Sequence, residues 1–182
     1  MHTLRLNLPT VLTLSRIVLI PFFVLSVYNH PVIGALVFSI ASITDFLDGY
    51  LARRSGQITK FGIIMDPLAD KFLVISALIV LVDMERISAF VAIVLIVRDF
   101  LITGLRVVAL SKDIVIPAEM GGKLKTAAQI TAVLCLVLKG SFFDFDFFGL
   151  DLFDFGQIFI WIALVLSLVS GIKYTISFWK RV

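Results

Sequence analysis

The chain alternates long apolar stretches with short polar breaks. Six stretches run over roughly 9–28, 32–54, 60–82, 87–110, 122–139 and 156–179. Between them lie Tyr28-Asn29-His30-Pro31, Ser55-Gly56-Gln57, Asp83-Met84-Glu85-Arg86, Ser111-Lys112-Asp113 and the longer break 140–155. A helix needs about 20 mostly apolar residues to cross a bilayer core, and the stretches are of that order. They are too long for soluble strands and lack period-two alternation. The pattern predicts an all-α integral membrane protein with six transmembrane helices, forming a single membrane domain over 1–182. Arg16 interrupts the first stretch and no clear small-x-small cleavage site follows, so it reads as a retained span rather than a signal peptide.

Composition supports this solvent. The chain has 182 residues, 60% of them hydrophobic, and a mean hydropathy of +1.08. Soluble domains are only about half apolar. The single cysteine, Cys135, falls inside a predicted span and can make no intrachain disulfide.

Charge fixes the expected orientation. With a cytoplasmic N-terminus and six spans, the C-terminus is cytoplasmic too. Of the 16 Lys and Arg, all but Arg86 and Lys139 then fall on the cytoplasmic side or its helix ends. The distribution matters more than the net charge of +3. A rim this basic favours anionic lipid head groups and phosphorylated ligands, and no nucleic acid is expected as a partner.

The polar residues inside the spans cluster. The outer halves are clean, while the cytoplasmic halves carry Arg16, Asp45, Asp48, Asp66, Asp70, Arg98, Asp99, Lys123, Lys125 and Lys173. One charge at mid-bilayer costs about 2.5–3.5 kcal/mol even on the lenient insertion scale, so four lipid-facing aspartates would cost on the order of 10 kcal/mol. They are expected to face a polar cavity open to the cytoplasm. Asp45 and Asp48 are three apart, with Gly49 and Ala52 on or beside the same face. Gly62, Asp66 and Asp70 are spaced by four, and Pro67 between them predicts a local bend. Four like charges at close range cannot all stay ionised unless cations join them. Carboxylates select hard ions such as Mg²⁺, Mn²⁺ or Ca²⁺ rather than zinc. His2 and His30 fall on opposite sides of the membrane and form no cluster. A carboxylate-held pair of ions beside Arg53 and a glycine gap suits a diphosphate.

The stretch from Asp45 to Asp70 resembles the signature of the CDP-alcohol phosphatidyltransferases, D-x2-D-G-x2-A-R-x8-G-x3-D-x3-D. Asp45, Asp48, Gly49, Ala52, Arg53, Gly62, Asp66 and Asp70 fill all eight fixed positions. "NLPTVLTLSR" (7–16), "RDFLITGLR" (98–106) and "GKLKT" (122–126) are similar to segments of the family's phosphatidylglycerophosphate synthase branch, with Asp99 standing where that branch is expected to carry Glu. The chain after about 130 adds only hydropathy.

The resemblance implies phosphatidyl transfer from CDP-diacylglycerol to sn-glycerol 3-phosphate, with Mg²⁺ or Mn²⁺, two ions in all. Asp45, Asp48, Asp66 and Asp70 become metal ligands, and Asp70 is also the general base. Gly49, Ala52, Arg53 and Gly62 receive the CDP part. Arg98, Arg106, Lys123 and Lys125 are candidates for the acceptor phosphate. It also implies a homodimer in the inner membrane of a bacterium, with the site facing the cytoplasm and membrane lipids around it. Against these roles, Lys123 and Lys125 read equally as snorkelling anchors, and Arg98 beside Asp99 reads as a structural ion pair. Sister transferases using inositol phosphate, serine or phosphatidylglycerol are the nearest alternatives. A divalent-cation transporter would need polar residues through the whole bilayer, which the clean outer halves do not provide. The Phe- and Asp-rich segment 141–156 reads as an outer loop with rings in the interface and carboxylates in water. Tyr28, Trp161, Tyr174 and Trp179 read as interfacial belt residues.

Overall fold

A computed structural model shows six α-helices: α1 (Leu8–Asn29), α2 (Pro31–Ser55), α3 (Lys60–Asp83), α4 (Ala89–Ser111), α5 (Met120–Leu138) and α6 (Leu152–Trp179). The structure describes the backbone of residues 8–55, 60–112, 114, 120–140 and 151–181, and the side chains of 18–44, 71–109, 111–112, 114, 121–140 and 151–181. Among the described residues there is no strand, so the all-α class is confirmed.

The helices overlie the six apolar stretches, with the largest offset at α6. It begins at Leu152 because Asp151 caps it. The Asp154 amide donates to Asp151 Oδ1 (2.8 Å), and the Asp151 amide donates to Asp154 Oδ2 (3.4 Å), a reciprocal capping box. Asp151 and Asp154 therefore start a helix rather than sit as free loop carboxylates. Asp144 and Asp146 lie outside the described residues.

The chain forms two compact units, Met1–Ala77 and Leu78–Val182. In the first, α1 and α2 pack as a hairpin around Phe23, Val27, Ala35, Phe38 and Ala41, all buried. The Phe23 and Phe38 rings lie 5.5 Å apart, tilted by 44°. Gly34 lets the backbones meet near the turn, since a Cβ there would stand 2.9 Å from Val27 Cα.

In the second unit α6 packs against both α4 and α5. Its buried positions are Gly156, Ile160, Ala163, Leu164, Ser167, Ser170, Gly171, Tyr174 and Phe178, a three-four spacing rich in small and polar residues. A Cβ on Gly156 would meet Leu136 Cγ at 2.6 Å, so α5 and α6 touch along a glycine. The opposite side of α6 exposes Trp161, Val165, Ile172 and Ile176. The buried side of α6 thus interleaves small and polar residues with Ile160, Leu164, Tyr174 and Phe178, while its outer side is large and apolar. Gly121–Leu138 and Leu152–Trp179 are long and apolar enough to cross a membrane. Tyr28, Trp161 and Trp179 are exposed, and Cys135 is a half-buried free thiol.

Several hydroxyls in these helices find partners one turn back on the same helix. Ser39, Thr44, Ser76, Thr103 and Thr131 each donate to the carbonyl four residues earlier, at 2.7–3.0 Å. Back-bonding of this kind lets a polar side chain sit in an apolar surround.

The α3–α4 connection ties the second unit together. Glu85 takes a left-handed conformation (φ 55°), and the Arg86 amide donates to Leu81 O (2.8 Å), closing α3 in a Schellman-like turn. The Arg86 guanidinium then caps the C-terminus of α5. It donates to Leu136 O, Val137 O (2.9 Å) and Lys139 O (3.4 Å), while its own carbonyl accepts from Gln157 Nε2 (2.5 Å). A cation on orphan last-turn carbonyls is favourable both as hydrogen bonds and against the helix dipole. Arg86→Ala is expected to cost about 2 kcal/mol. In a chain of this size that lowers the melting temperature by about 4–8 °C, read by thermal unfolding in detergent. An unchanged melting temperature would show that the cap contributes nothing.

Candidate functional site

The helices α2 and α3 carry the acidic motif. α2 is continuous through positions 45–55 and α3 through 60–70, so the three- and four-residue spacings put 45, 48, 49 and 52 on one side of α2, and 62, 66 and 70 on one side of α3. α3 remains helical across position 67. The side chains of Asp45, Asp48, Gly49, Ala52, Arg53, Gly62, Asp66 and Asp70 lie outside the described residues. The donor set, four carboxylates on two helices, fits a hard divalent cation. Among the described residues no group of three or more His, Cys, Asp or Glu is placed to hold a metal ion.

A separate charged cluster lies inside the second unit. Asp99 on α4 is 8% exposed, and Lys125 on α5 is 4% exposed. Lys125 Nζ donates to Asp99 Oδ2 at 2.5 Å, and Arg98 Nη1 donates to Asp99 Oδ1 at 3.0 Å. The carboxylate thus offers a different oxygen to each cation. Arg98 is held further by α6, where its Nε donates to Ser167 O (2.8 Å) and its Nη2 to Ser170 Oγ (2.7 Å). Gly171 makes room for the arginine, since a Cβ there would stand 3.0 Å from Arg98 Nε. Gly121 does the same for α5, whose added Cβ would stand 3.3 Å from Ser170 Cβ. The small residues of α6 are therefore what allow three charged side chains to meet between α4, α5 and α6.

A buried pair of this kind repays its desolvation only with good geometry and further hydrogen bonds. Removing one partner typically costs about 3–5 kcal/mol, because the other charge is left uncompensated. Nearby, Gln129 Nε2 and Ser167 Oγ are buried without a hydrogen-bond partner. Polar atoms left this way in an apolar surround are unusual.

The four cations proposed for the acceptor phosphate do not share one environment. Arg98 and Lys125 are joined through Asp99. Arg106 and Lys123 are exposed. Arg106 lies over the Tyr174 ring, 5.9 Å from its centroid. Tyr174 is buried rather than interfacial, a correction to its reading as a belt residue. The cause is its place on the α6 seam, seven residues after Ser167 and four after Ser170. The Arg98–Asp99 ion pair, weighed in the sequence as the alternative to an acceptor role for Arg98, is present, and the bridge onward to Lys125 is the part that spacing alone did not foresee. One signal was available. A carboxylate one residue from an arginine in an apolar helix needs every oxygen satisfied, and the buried lysine of the "GKLKT" segment is a cation able to do it.

Alongside Arg98 runs an apolar groove of about 480 Å³ between α4 and α6, lined by Ile93, Val97, Leu101, Leu168, Ile172 and Ile176 among others. Arg98 contributes its aliphatic stem to this wall while its guanidinium turns to the serines.

Comparison with known proteins places these features in a family. The model of the CDP-alcohol phosphatidyltransferases matches residues 6–169. A CDP-diacylglycerol–glycerol-3-phosphate 3-phosphatidyltransferase of Bacillus subtilis (strain 168) is 40% identical over 190 residues, covering 96% of both chains. The protein of that name from Rickettsia bellii is 40% identical over 174 residues, covering 92% of this chain and 93% of its own. The one from Salmonella typhimurium is 39% identical over 180 residues, covering 94% of each. The eight motif positions on α2 and α3 and this near-complete match lead to one conclusion: the chain belongs to the CDP-alcohol phosphatidyltransferase family.

Proposed function

We propose that this protein transfers the phosphatidyl group of CDP-diacylglycerol to sn-glycerol 3-phosphate, giving phosphatidylglycerophosphate and CMP. The observation that carries the reading is the near-full-length similarity to relatives whose names state that donor and that acceptor. The acceptor hydroxyl attacks the β-phosphorus, on the diacylglycerol side. The new P–O bond forms there as the bond to the CMP phosphate breaks, and the hydroxyl proton passes to Asp70.

Each group of residues has a task. Asp45, Asp48, Asp66 and Asp70 would hold Mg²⁺ or Mn²⁺, two ions in this reading. Bound there, the metal supplies neutralisation of charge on the transferred and leaving oxygens. Gly49, Ala52 and Gly62 leave space for the CDP part to approach backbone, and Arg53 offers a planar fork to its phosphate oxygens. Arg98, Arg106, Lys123 and Lys125 meet the acceptor phosphate.

The surrounding architecture in this reading is six spans with both termini in the cytoplasm, in a bacterial inner membrane, with the site facing the cytoplasm. The cytoplasmic bias of Lys and Arg supports the orientation. The α6 surface of large exposed apolar side chains supports a lipid surround. A homodimer completes the reading, resting on the family resemblance.

The experiment is an acceptor panel. Purified protein receives CDP-diacylglycerol, Mg²⁺ and each candidate alcohol, and CMP and lipid products are measured. Glycerol 3-phosphate is expected to be used far better than glycerol, serine or inositol phosphate. Equal use of unphosphorylated glycerol would remove the phosphate pocket. Within the same assay Arg106→Ala isolates the pocket best, because Arg106 is exposed and outside the Asp99 ion pairs. Loss of a charged hydrogen bond costs about 1.5–3 kcal/mol, so the KM for glycerol 3-phosphate should rise by about ten- to a hundredfold. The KM for CDP-diacylglycerol should move much less. Equal weakening of both would assign Arg106 to structure or to the diphosphate.

A further inference from the structure

We propose that Asp99 is a positioning residue for the acceptor, its carboxylate holding the Arg98 guanidinium and the Lys125 ammonium in the orientation that receives a phosphate monoester. The proposal rests on the reading of Arg98 and Lys125 as acceptor cations and adds to it the group that aims them.

The geometry has features that charge balance alone does not require. Asp99 gives one oxygen to each cation, and the cations come from different helices. Arg98 is fixed at all three nitrogens: Nε by Ser167 O, Nη1 by Asp99 and Nη2 by Ser170 Oγ. Three of its five N–H groups are thereby used, and two remain, one on each terminal nitrogen. The guanidinium plane is locked, and one N–H on each terminal nitrogen is left for a further acceptor.

Long cationic side chains lose much rotamer freedom when a ligand orders them. Here the ordering has already been done by the fold, so less of the binding energy is spent on it. The backbone of Asp99 is steadied in turn, since Thr103 Oγ1 donates to its carbonyl at 2.8 Å. Asp99 itself has no N–H or O–H to offer a phosphate while ionised, so it acts through Arg98 and Lys125 and not by contact.

The test uses the full chain in detergent or lipid nanodiscs, with Mg²⁺ saturating. Initial rates of CMP release are measured with glycerol 3-phosphate and CDP-diacylglycerol varied separately, and with inorganic phosphate as a competitor. For Asp99→Asn the KM for glycerol 3-phosphate and the inhibition constant of inorganic phosphate should rise together, by at least about tenfold. The KM for CDP-diacylglycerol should stay within about twofold, and Asp99→Glu should bring the acceptor KM back to within about threefold of wild type.

A residue that only stabilises the bundle would lower the melting temperature and the active fraction while leaving both KM values and the phosphate constant unchanged; that result overturns the proposal. If Asp99→Asn does not accumulate as folded protein, Ser170→Ala decides. It removes one of the three anchors of Arg98 without stranding a charge, and should raise the acceptor KM and the phosphate constant by about two- to tenfold. Unchanged values in a folded Ser170→Ala protein overturn the proposal equally. The wild type separates the two readings. If it releases CMP only with an unphosphorylated alcohol, the proposed function falls and takes this inference with it. If it saturates with glycerol 3-phosphate while Asp99→Asn keeps the same KM, the positioning role alone falls.

Discussion

Replacing Asp70 by asparagine should lower turnover by about a hundred- to ten-thousandfold, the range lost when a positioned general base is removed. The substitution keeps size and shape, removes the capacity to take a proton, and takes one anionic oxygen from the proposed ligand set. Position 70 lies one helical turn beyond position 66 on α3, so both belong to the same side of that helix. If Asp70 were only one more ligand, its loss would resemble that of Asp45 or Asp66. Asp45→Asn and Asp66→Asn are expected to raise the Mg²⁺ requirement and weaken CDP-diacylglycerol binding, and extra Mg²⁺ should recover part of the rate. Asp70→Asn should instead depress kcat more than it raises either KM, and excess Mg²⁺ should not restore it. Initial rates over a Mg²⁺ series for the three variants separate the cases. Recovery of Asp70→Asn at high Mg²⁺ would remove the base assignment and leave Asp70 a ligand.

The acidic motif could be read from sequence because its information is local. Eight fixed positions fall on two consecutive helices, and helical spacing converts residue numbers into shared faces without knowledge of packing. The all-α class followed for a similar reason, since the length of an apolar run is itself the signal. The Asp99 cluster is different. Its members are 26 residues apart on α4 and α5, and its anchors, Ser167 and Ser170, come from α6. No periodicity specifies which faces of three helices meet; that depends on Gly121, Gly171 and the serines, whose small size reads in sequence as a mere lack of signal. Tyr174 shows the same limit. Proximity to a helix end suggested an interfacial ring, but the seam of α6 carried it inward beneath Arg106. The start of α6 is hard to read in sequence for a local reason: the third helical residue of its capping box is Asp154 rather than Glu, in a stretch rich in other aspartates.

Chelation should abolish activity completely, and Mg²⁺ or Mn²⁺ should restore it. The expectation begins with electrostatics rather than with the reaction. Four aspartates lie within 26 residues on α2 and the first half of α3, and like carboxylates held close together resist simultaneous ionisation. With no cation present, the carboxylates repel one another and a diphosphate donor alike. A divalent ion removes that conflict and at the same time attracts a diphosphate that four bare carboxylates would repel. Loss of metal therefore removes donor binding and the neutralisation of charge on the transferred and leaving oxygens together, which is why the effect should exceed that of any single aspartate variant. Purified protein treated with EDTA and desalted should show no CMP release above background, with saturable recovery as Mg²⁺ or Mn²⁺ is returned. The melting temperature should rise over the same concentration range in wild type, because an ion that binds only the folded state stabilises it. In Asp45→Asn that rise should shift to higher Mg²⁺. Full activity in rigorously metal-free protein would sink the assignment of these carboxylates as ligands. Restored activity with a stability response that Asp45→Asn leaves unshifted would instead place the ion outside that set, so the two readouts test the metal requirement and its location separately.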